Sequence, residues 1–89
     1  MAMRRMRIVN IKGLHARASA RLVEVVERFD ASATVRANGE TASGDSIMGL
    51  LMLAAAMGDE IEVETTGTEA DSLLASIVEL VASGFGEES

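Results

Sequence analysis

His15 is the only histidine in this chain of 89 residues, and it stands in Gly13-Leu14-His15-Ala16-Arg17, where a loop runs into a helical pattern. A neutral imidazole is a nucleophile near physiological pH and can accept a phosphoryl group. A helix N-terminus offers unpaired backbone N–H groups and a partial positive charge, which suit an anion. The Arg17 guanidinium can bind two phosphoryl oxygens at once, and the backbone N–H groups of Ala16 and Arg17 lie where such an oxygen would dock. There is no second histidine and no glycine-rich nucleotide-binding loop, so the chemistry indicated is carrying a phosphoryl group rather than activating one. On residue type alone the same histidine also reads as a helix cap or an incidental surface residue.

The elements that must position these residues follow from periodicity. Met6, Ile8 and Asn10 alternate with Arg5, Arg7 and Val9, which predicts a first strand with one core face. Asn10 to Gly13 is a loop, and a helix follows from Ala16 to Phe29. Ala18, Leu22, Val25, Val26 and Phe29 form its core stripe, with Arg17, Arg21, Glu24 and Arg28 on the opposite face. A second strand covers Ser32 to Ala37, with Ala33 and Val35 inward. Asn38-Gly39 signals a two-residue hairpin, and Glu40 to Ser43 is the returning strand. Asp45 or Ser46 can cap a short second helix from Ile47 to Leu53. After Gly58-Asp59, the residues Ile61, Val63 and Thr65 alternate with Glu60, Glu62 and Glu64 in a fourth strand. Thr68-Glu69-Ala70-Asp71 resembles a capping box opening a third helix that runs to Ser83, with Leu73, Leu74, Ile77, Leu80 and Val81 inward and Gly84 at C′. Gly86 to Ser89 are expected to fray.

The order β-α-β-β-α-β-α makes an α+β domain spanning residues 1–89. Four mostly antiparallel strands carry three helices on one face and leave a polar face open.

Composition narrows the function classes. The chain lacks cysteine, tryptophan, tyrosine and proline, and its only aromatics are Phe29 and Phe85. Disulfides and cysteine-based metal or redox sites are excluded, and no metal or cofactor is expected. Base-stacking recognition of nucleic acid is disfavoured. The net charge of −6 is uneven: all eight basic residues fall before position 37, where the balance is +5, and the rest of the chain is −11. That asymmetry reads either as plain solvation or as steering of a partner. No apolar segment follows Arg4, Arg5 and Arg7, and the longest apolar run, Ile47 to Met57, is too short to span a bilayer. A cytoplasmic monomer without membrane insertion is expected. The same run is too uniformly apolar for one buried stripe. Ile47, Met48 and Leu51 are candidates for an exposed docking patch beside His15, with Leu50, Leu53 and Ala54 as core.

Gly13-Leu14-His15-Ala16-Arg17 resembles the active-site signature of the HPr family, the histidine-containing phosphocarriers of the bacterial phosphotransferase system. The resemblance extends through Asn38-Gly39 and Ser46-Ile47-Met48-Gly49-Leu50 to nearly the whole chain. It implies an open-faced β-sandwich in which the Nδ1 atom of His15 accepts phosphate from enzyme I and passes it to an enzyme IIA component. It further implies that Arg17 supports the phosphohistidine and that the first two helices bind the partners. Ser46 matches a serine that a dedicated ATP-dependent HPr kinase/phosphorylase modifies in many members. Phosphoserine at a helix cap would meet the positive dipole end, though Ser46 also reads as a plain cap, and Ser43 is a nearby alternative.

Two departures stand out. The family signature usually continues with proline, where this chain has Ala18-Ser19; alanine is a good helix former and little harm to the chemistry is expected. Glu24 and Glu27 stand where many sugar-system members are basic, which points to a different partner surface. The pattern around His15 and Ser46 looks more like the nitrogen-branch (NPr) phosphocarriers. The competing function is a regulatory protein-binding module of the same fold, acting through Ile47 to Leu51 and controlled at Ser46 without obligatory phosphoryl transfer.

Overall fold

Alternating apolar residues build the sheet, and their hydrogen-bonding partners set its order. In a computed structural model, which describes residues 1–87, the elements are β1 (Ala2–Arg7), α1 (Ala16–Glu27), β2 (Ser32–Ala37), β3 (Glu40–Ser43), α2 (Ile47–Met52), β4 (Glu60–Thr66) and α3 (Ala70–Ala82), closed by a 3₁₀ turn at Gly84–Gly86. The strands lie in the order β1-β4-β2-β3, and every pairing is antiparallel. Asn38 and Gly39 join β2 to β3 with φ of 52° and 78°, the paired left-handed conformation that matches the twist of a two-residue hairpin.

Ala33, Val35, Ile61, Val63 and Thr65 point inward from the sheet and are buried. Leu22, Val25 and Val26 from α1, Leu50 from α2, and Leu73, Ile77 and Val81 from α3 cover them. Thr65 is the one hydroxyl in that inner row, and it donates to Ala70 O at 2.8 Å, so its burial leaves no unpaired group. Phe29, expected in the α1 stripe, packs only partly against the core because α1 stops at Glu27. Among the described residues no helix is long and apolar enough to cross a membrane.

The solvated face of the sheet brings the two charge classes together. Central β4 presents Glu60, Glu62 and Glu64 between arginines of β1 and β2: Arg5 Nε lies 3.3 Å from Glu62, and Arg36 Nη1 lies 3.2 Å from Glu62 and 3.1 Å from Glu64. Each such exposed pair contributes little stability, at most about 1 kcal/mol. They bring arginines of the basic first part of the chain onto glutamates of the acidic remainder, and Lys12, Arg17 and Arg21 take no part in them.

Three local expectations are corrected. Thr68 does not cap α3; Glu69 is the N-cap, and no side chain caps the helix. The Glu69 carboxylate instead accepts from Asp30 N at 2.7 Å, while Glu69 N donates to Asp30 O at 3.0 Å, tying the start of α3 to the loop after α1. Ala54 is exposed rather than core, because α2 ends at Met52 and Ala54 turns the chain out with φ of 54°. The Asn38 amide secures that turn by donating to Leu53 O at 2.9 Å. Gly86 and Glu87, expected to fray, are instead folded back beside His15, Glu87 accepting from Asn10; Glu88 and Ser89 lie outside the described residues.

Candidate functional site

The loop from Asn10 to Gly13 returns the chain from β1 so that α1 can start against the core. Gly13 has φ of 64°, and a Cβ there would sit 2.5 Å from Ala55 O and 2.8 Å from Ala56 Cα. Leu14 N donates to that same Ala55 O at 2.9 Å, which pins the loop to the segment after α2. The next residue, His15, is thereby placed at the N-cap. Gly13→Ala is therefore expected to cost about 2–3 kcal/mol, from left-handed strain plus the backbone clash, readable as a lower urea midpoint.

His15 adopts an extended backbone (φ −80°, ψ −176°) and its Nδ1 accepts from Arg17 N at 3.3 Å. The histidine is thus the helix cap as well as the candidate acceptor, and the two readings of it are one geometry. Nδ1 lies over the first turn of α1, where the unpaired N–H groups and the positive end of the dipole are found. Ser19, one turn on, is buried; its N donates to His15 O at 2.8 Å.

An open cleft surrounds the ring, lined by Ile11, Lys12, His15, Ala16, Arg17, Arg21, Gly86 and Glu87. Arg17 is exposed, and among the described residues its guanidinium makes no ion pair. Lys12 adds a second positive charge. Arg21 lies one turn beyond Arg17 on the same flank and donates through Nη1 to Phe85 O. Three cations around one imidazole make a site for an anion with several oxygens.

Among the described residues the anion lining the cleft is Glu87, whose carboxylate meets His15 Nε2. Asn10 Nδ2 donates to Glu87 Oε1 at 2.9 Å and to Gly13 O at 2.8 Å, so one buried amide ties the chain end to the loop. The Asn10 hydrogen bond is the largest influence on the Glu87 carboxyl and, with lesser help from His15 and Lys12, holds it below its usual range against the opposing effect of burial, the next largest.

His15, Ala16 and Arg17 come together as the sequence motif requires. Ser46 lies apart from the cleft: it is the N-cap of α2, its Oγ accepting from Gly49 N at 3.1 Å. Exposed Ser43, the alternative, donates to Asp45 at 2.6 Å. Of the docking candidates, Ile47 and Met48 are exposed and Leu51 is half-buried, while Met52, not anticipated, is 76% exposed. None of these lines the cleft. Sequence reading missed Lys12, Arg21 and Glu87. The i, i+4 spacing of Arg17 and Arg21 could have found the second; nothing local points to Glu87, 72 residues from His15.

Comparison with known proteins agrees with this geometry. Residues 2–83 match a family model described as PTS HPr component phosphorylation site. The chain is 42% identical over 82 residues to phosphocarrier protein NPr of Escherichia coli, covering 91% of each. It is 39% identical over 80 residues to phosphocarrier protein HPr of Cupriavidus necator, covering 90% of each. Its fold superimposes on the crystal structure of HPr from Thermoanaerobacter tengcongensis with a TM-score of 0.93 over the full length of both, at 29% identity.

Proposed function

The chain belongs to the HPr family of the phosphotransferase system, and on that premise we propose that it is a phosphocarrier whose His15 accepts a phosphoryl group from enzyme I and passes it to an enzyme IIA component. Members of this family carry the group as a phosphohistidine; they are not catalytic enzymes. The observation that carries the assignment to His15 is its place as N-cap of α1, with Nδ1 receiving the Arg17 N–H. An N–H that finds the Nδ1 lone pair in the free protein is already aimed at an oxygen of a phosphoryl group attached there. The Ala16 N–H and the uncommitted Arg17 guanidinium then stabilise the transferred charge.

The test is direct. Incubation with enzyme I and phosphoenolpyruvate is expected to add one phosphate by intact mass, labile to acid and stable to alkali, as a phosphoramidate requires. No gain with several enzyme I proteins would overturn the carrier reading in favour of a regulatory binding module acting through exposed Ile47 and Met48. Offering sugar-transport and nitrogen-regulatory IIA proteins in the same assay identifies the branch served. The exposed Glu24 and Glu27 on α1 favour a partner less acidic than one that reads a basic helix. Helices too short to cross a bilayer fit a cytoplasmic relay.

Ser46 is proposed as the control position, for modification by a kinase of the HPr kinase/phosphorylase type where one is present. Phosphate on its Oγ would replace a neutral cap by a charged one at the same N–H. As a cap it also carries stability: Ser46→Ala is expected to cost about 1 kcal/mol, with Ser46→Asp retaining most of it, measured by chemical denaturation.

A further inference from the structure

Lys12 is the only lysine of the chain, and the fold sets it in the wall of the His15 cleft. It stands at the tip of the turn from Asn10 to Gly13, which is braced twice. Gly13 N donates to Asn10 O at 3.2 Å, and Asn10 Nδ2 donates to Gly13 O at 2.8 Å. Lys12 is exposed there and makes no ion pair among the described residues. Its charge is nonetheless felt inside the cleft. Beside the larger effect of the Asn10 hydrogen bond, it helps hold the Glu87 carboxyl below its usual range.

The other two cations of the cleft come from α1. Arg17 is free of ion pairs, and Arg21 spends Nη1 on Phe85 O. A phosphate held by these guanidiniums has a primary amine from a separate element beside it. The three cations that suit a phosphoryl group suit equally the phosphate end of an acyl phosphate, a mixed anhydride of a carboxylic acid and phosphoric acid. In such a ligand the phosphate is also the leaving group, so cations that bind it stabilise its departure. A lysine amine is the side chain that takes acyl groups as stable amides.

We propose that Lys12 is an acylation site, taking the acyl group of a small acyl phosphate docked in the His15 cleft, and that the loss of its charge slows phosphoryl uptake by the carrier. This rests on the cleft being the phosphate site proposed above. In the step, the Lys12 ammonium first gives one proton to solvent. The nitrogen lone pair then forms a bond to the acyl carbon. The bond from that carbon to the phosphate oxygen breaks, and its electron pair leaves with the phosphate, which takes the second nitrogen proton. The products are an amide and inorganic phosphate, and nothing is oxidised or reduced. The cleft is left with two cations instead of three, so it attracts and holds a phosphoryl group less well.

The test is to treat the full chain with acetyl phosphate, strip any phosphohistidine with acid, and measure acetylation of Lys12 against that of the N-terminal amine by peptide mass spectrometry. The same ratio is measured with para-nitrophenyl acetate, which carries no phosphate. The ratio is expected to be about tenfold higher with acetyl phosphate. Excess inorganic phosphate, or Arg17→Gln, is expected to bring it down to the value for the neutral ester. Equal ratios for the two reagents, or an excess that neither phosphate nor Arg17→Gln removes, overturns the proposal. For the consequence, Lys12→Gln is expected to slow phosphorylation by enzyme I about threefold, and Lys12→Arg to keep the wild-type rate. Lys12 is exposed, so both variants are expected to fold. A wild-type rate in Lys12→Gln overturns the regulatory half. Failure of the wild type to take up phosphate from enzyme I would instead refute the carrier reading, and the acetylation ratio would still decide whether the cleft delivers an acyl group to Lys12.

Discussion

In His15→Ala, uptake of acid-labile phosphate is expected to fall to background, a loss of about a thousandfold or more, while the protein remains folded. The chain has no second histidine to take the group in its place. Removing a nucleophile that forms the covalent intermediate removes the step itself rather than slowing it. The variant also loses the cap bond from Arg17 N to Nδ1, which costs about 1 kcal/mol. His15→Asn separates these effects. Asparagine restores a capping oxygen but no nucleophile, so it is expected to recover the stability and none of the phosphate uptake. Intact mass reports the chemistry and a urea titration the stability; residual phosphate in either variant would sink the assignment.

Phe85→Ala is expected to be the most damaging core change near the site, costing about 3–5 kcal/mol. A domain of this size has roughly 5–15 kcal/mol to lose. Phe85 is the largest fully buried side chain and belongs to the core cluster that includes Leu22 and Val25 of α1 and Ile77 and Val81 of α3. Its truncation leaves a cavity that neighbours on two rigid helices cannot close. The urea midpoint is expected to fall by about 2–3 M, whereas Phe85→Leu, which keeps most of the volume, is expected to lose about half as much. The consequence reaches the chemistry. Phe85 anchors the turn that brings Glu87 to His15 Nε2, so the alanine variant is expected to loosen that contact and shift the imidazole proton resonances of His15. Unchanged resonances alongside a lower midpoint would show that the contact holds without the anchor.

Local pattern carried far in this chain. The alternation of Ile61, Val63 and Thr65 against three glutamates defines β4 and its buried face, and Asn38-Gly39 defines a turn that the backbone adopts as expected. The spacing of Leu22, Val25 and Val26 defines the buried side of α1. Errors fell where a long-range contact outbid a local preference. Thr68 and Asp71 had the types for a capping box, yet Glu69 reaches across to Asp30 and α3 begins one residue later. Ala54 had the hydrophobicity for the core, yet α2 had to end, and the Asn38 amide waits beneath its C-terminus.

The acceptor half of the site was legible because it is contiguous: Gly13 to Arg17 contain the tight loop, the cap, the nucleophile and the cation in five residues. Its other half is assembled from the ends of the chain. Lys12 and Arg21 join it because the loop and α1 share a flank, and Glu87 because three left-handed residues and a buried phenylalanine curl the C-terminal segment over α1. The charge balance follows the same division. By itself the sequence determined that cations fill its first 36 residues and acids the remainder. Only the tertiary structure decided that Arg5 and Arg36 meet the glutamates of β4, leaving Lys12, Arg17 and Arg21 around His15. Periodicity and capping act over a few residues, so they are written in the order of the chain. Strand order and ion pairing join residues far apart in the chain, and no pattern in the chain's order records which of them meet.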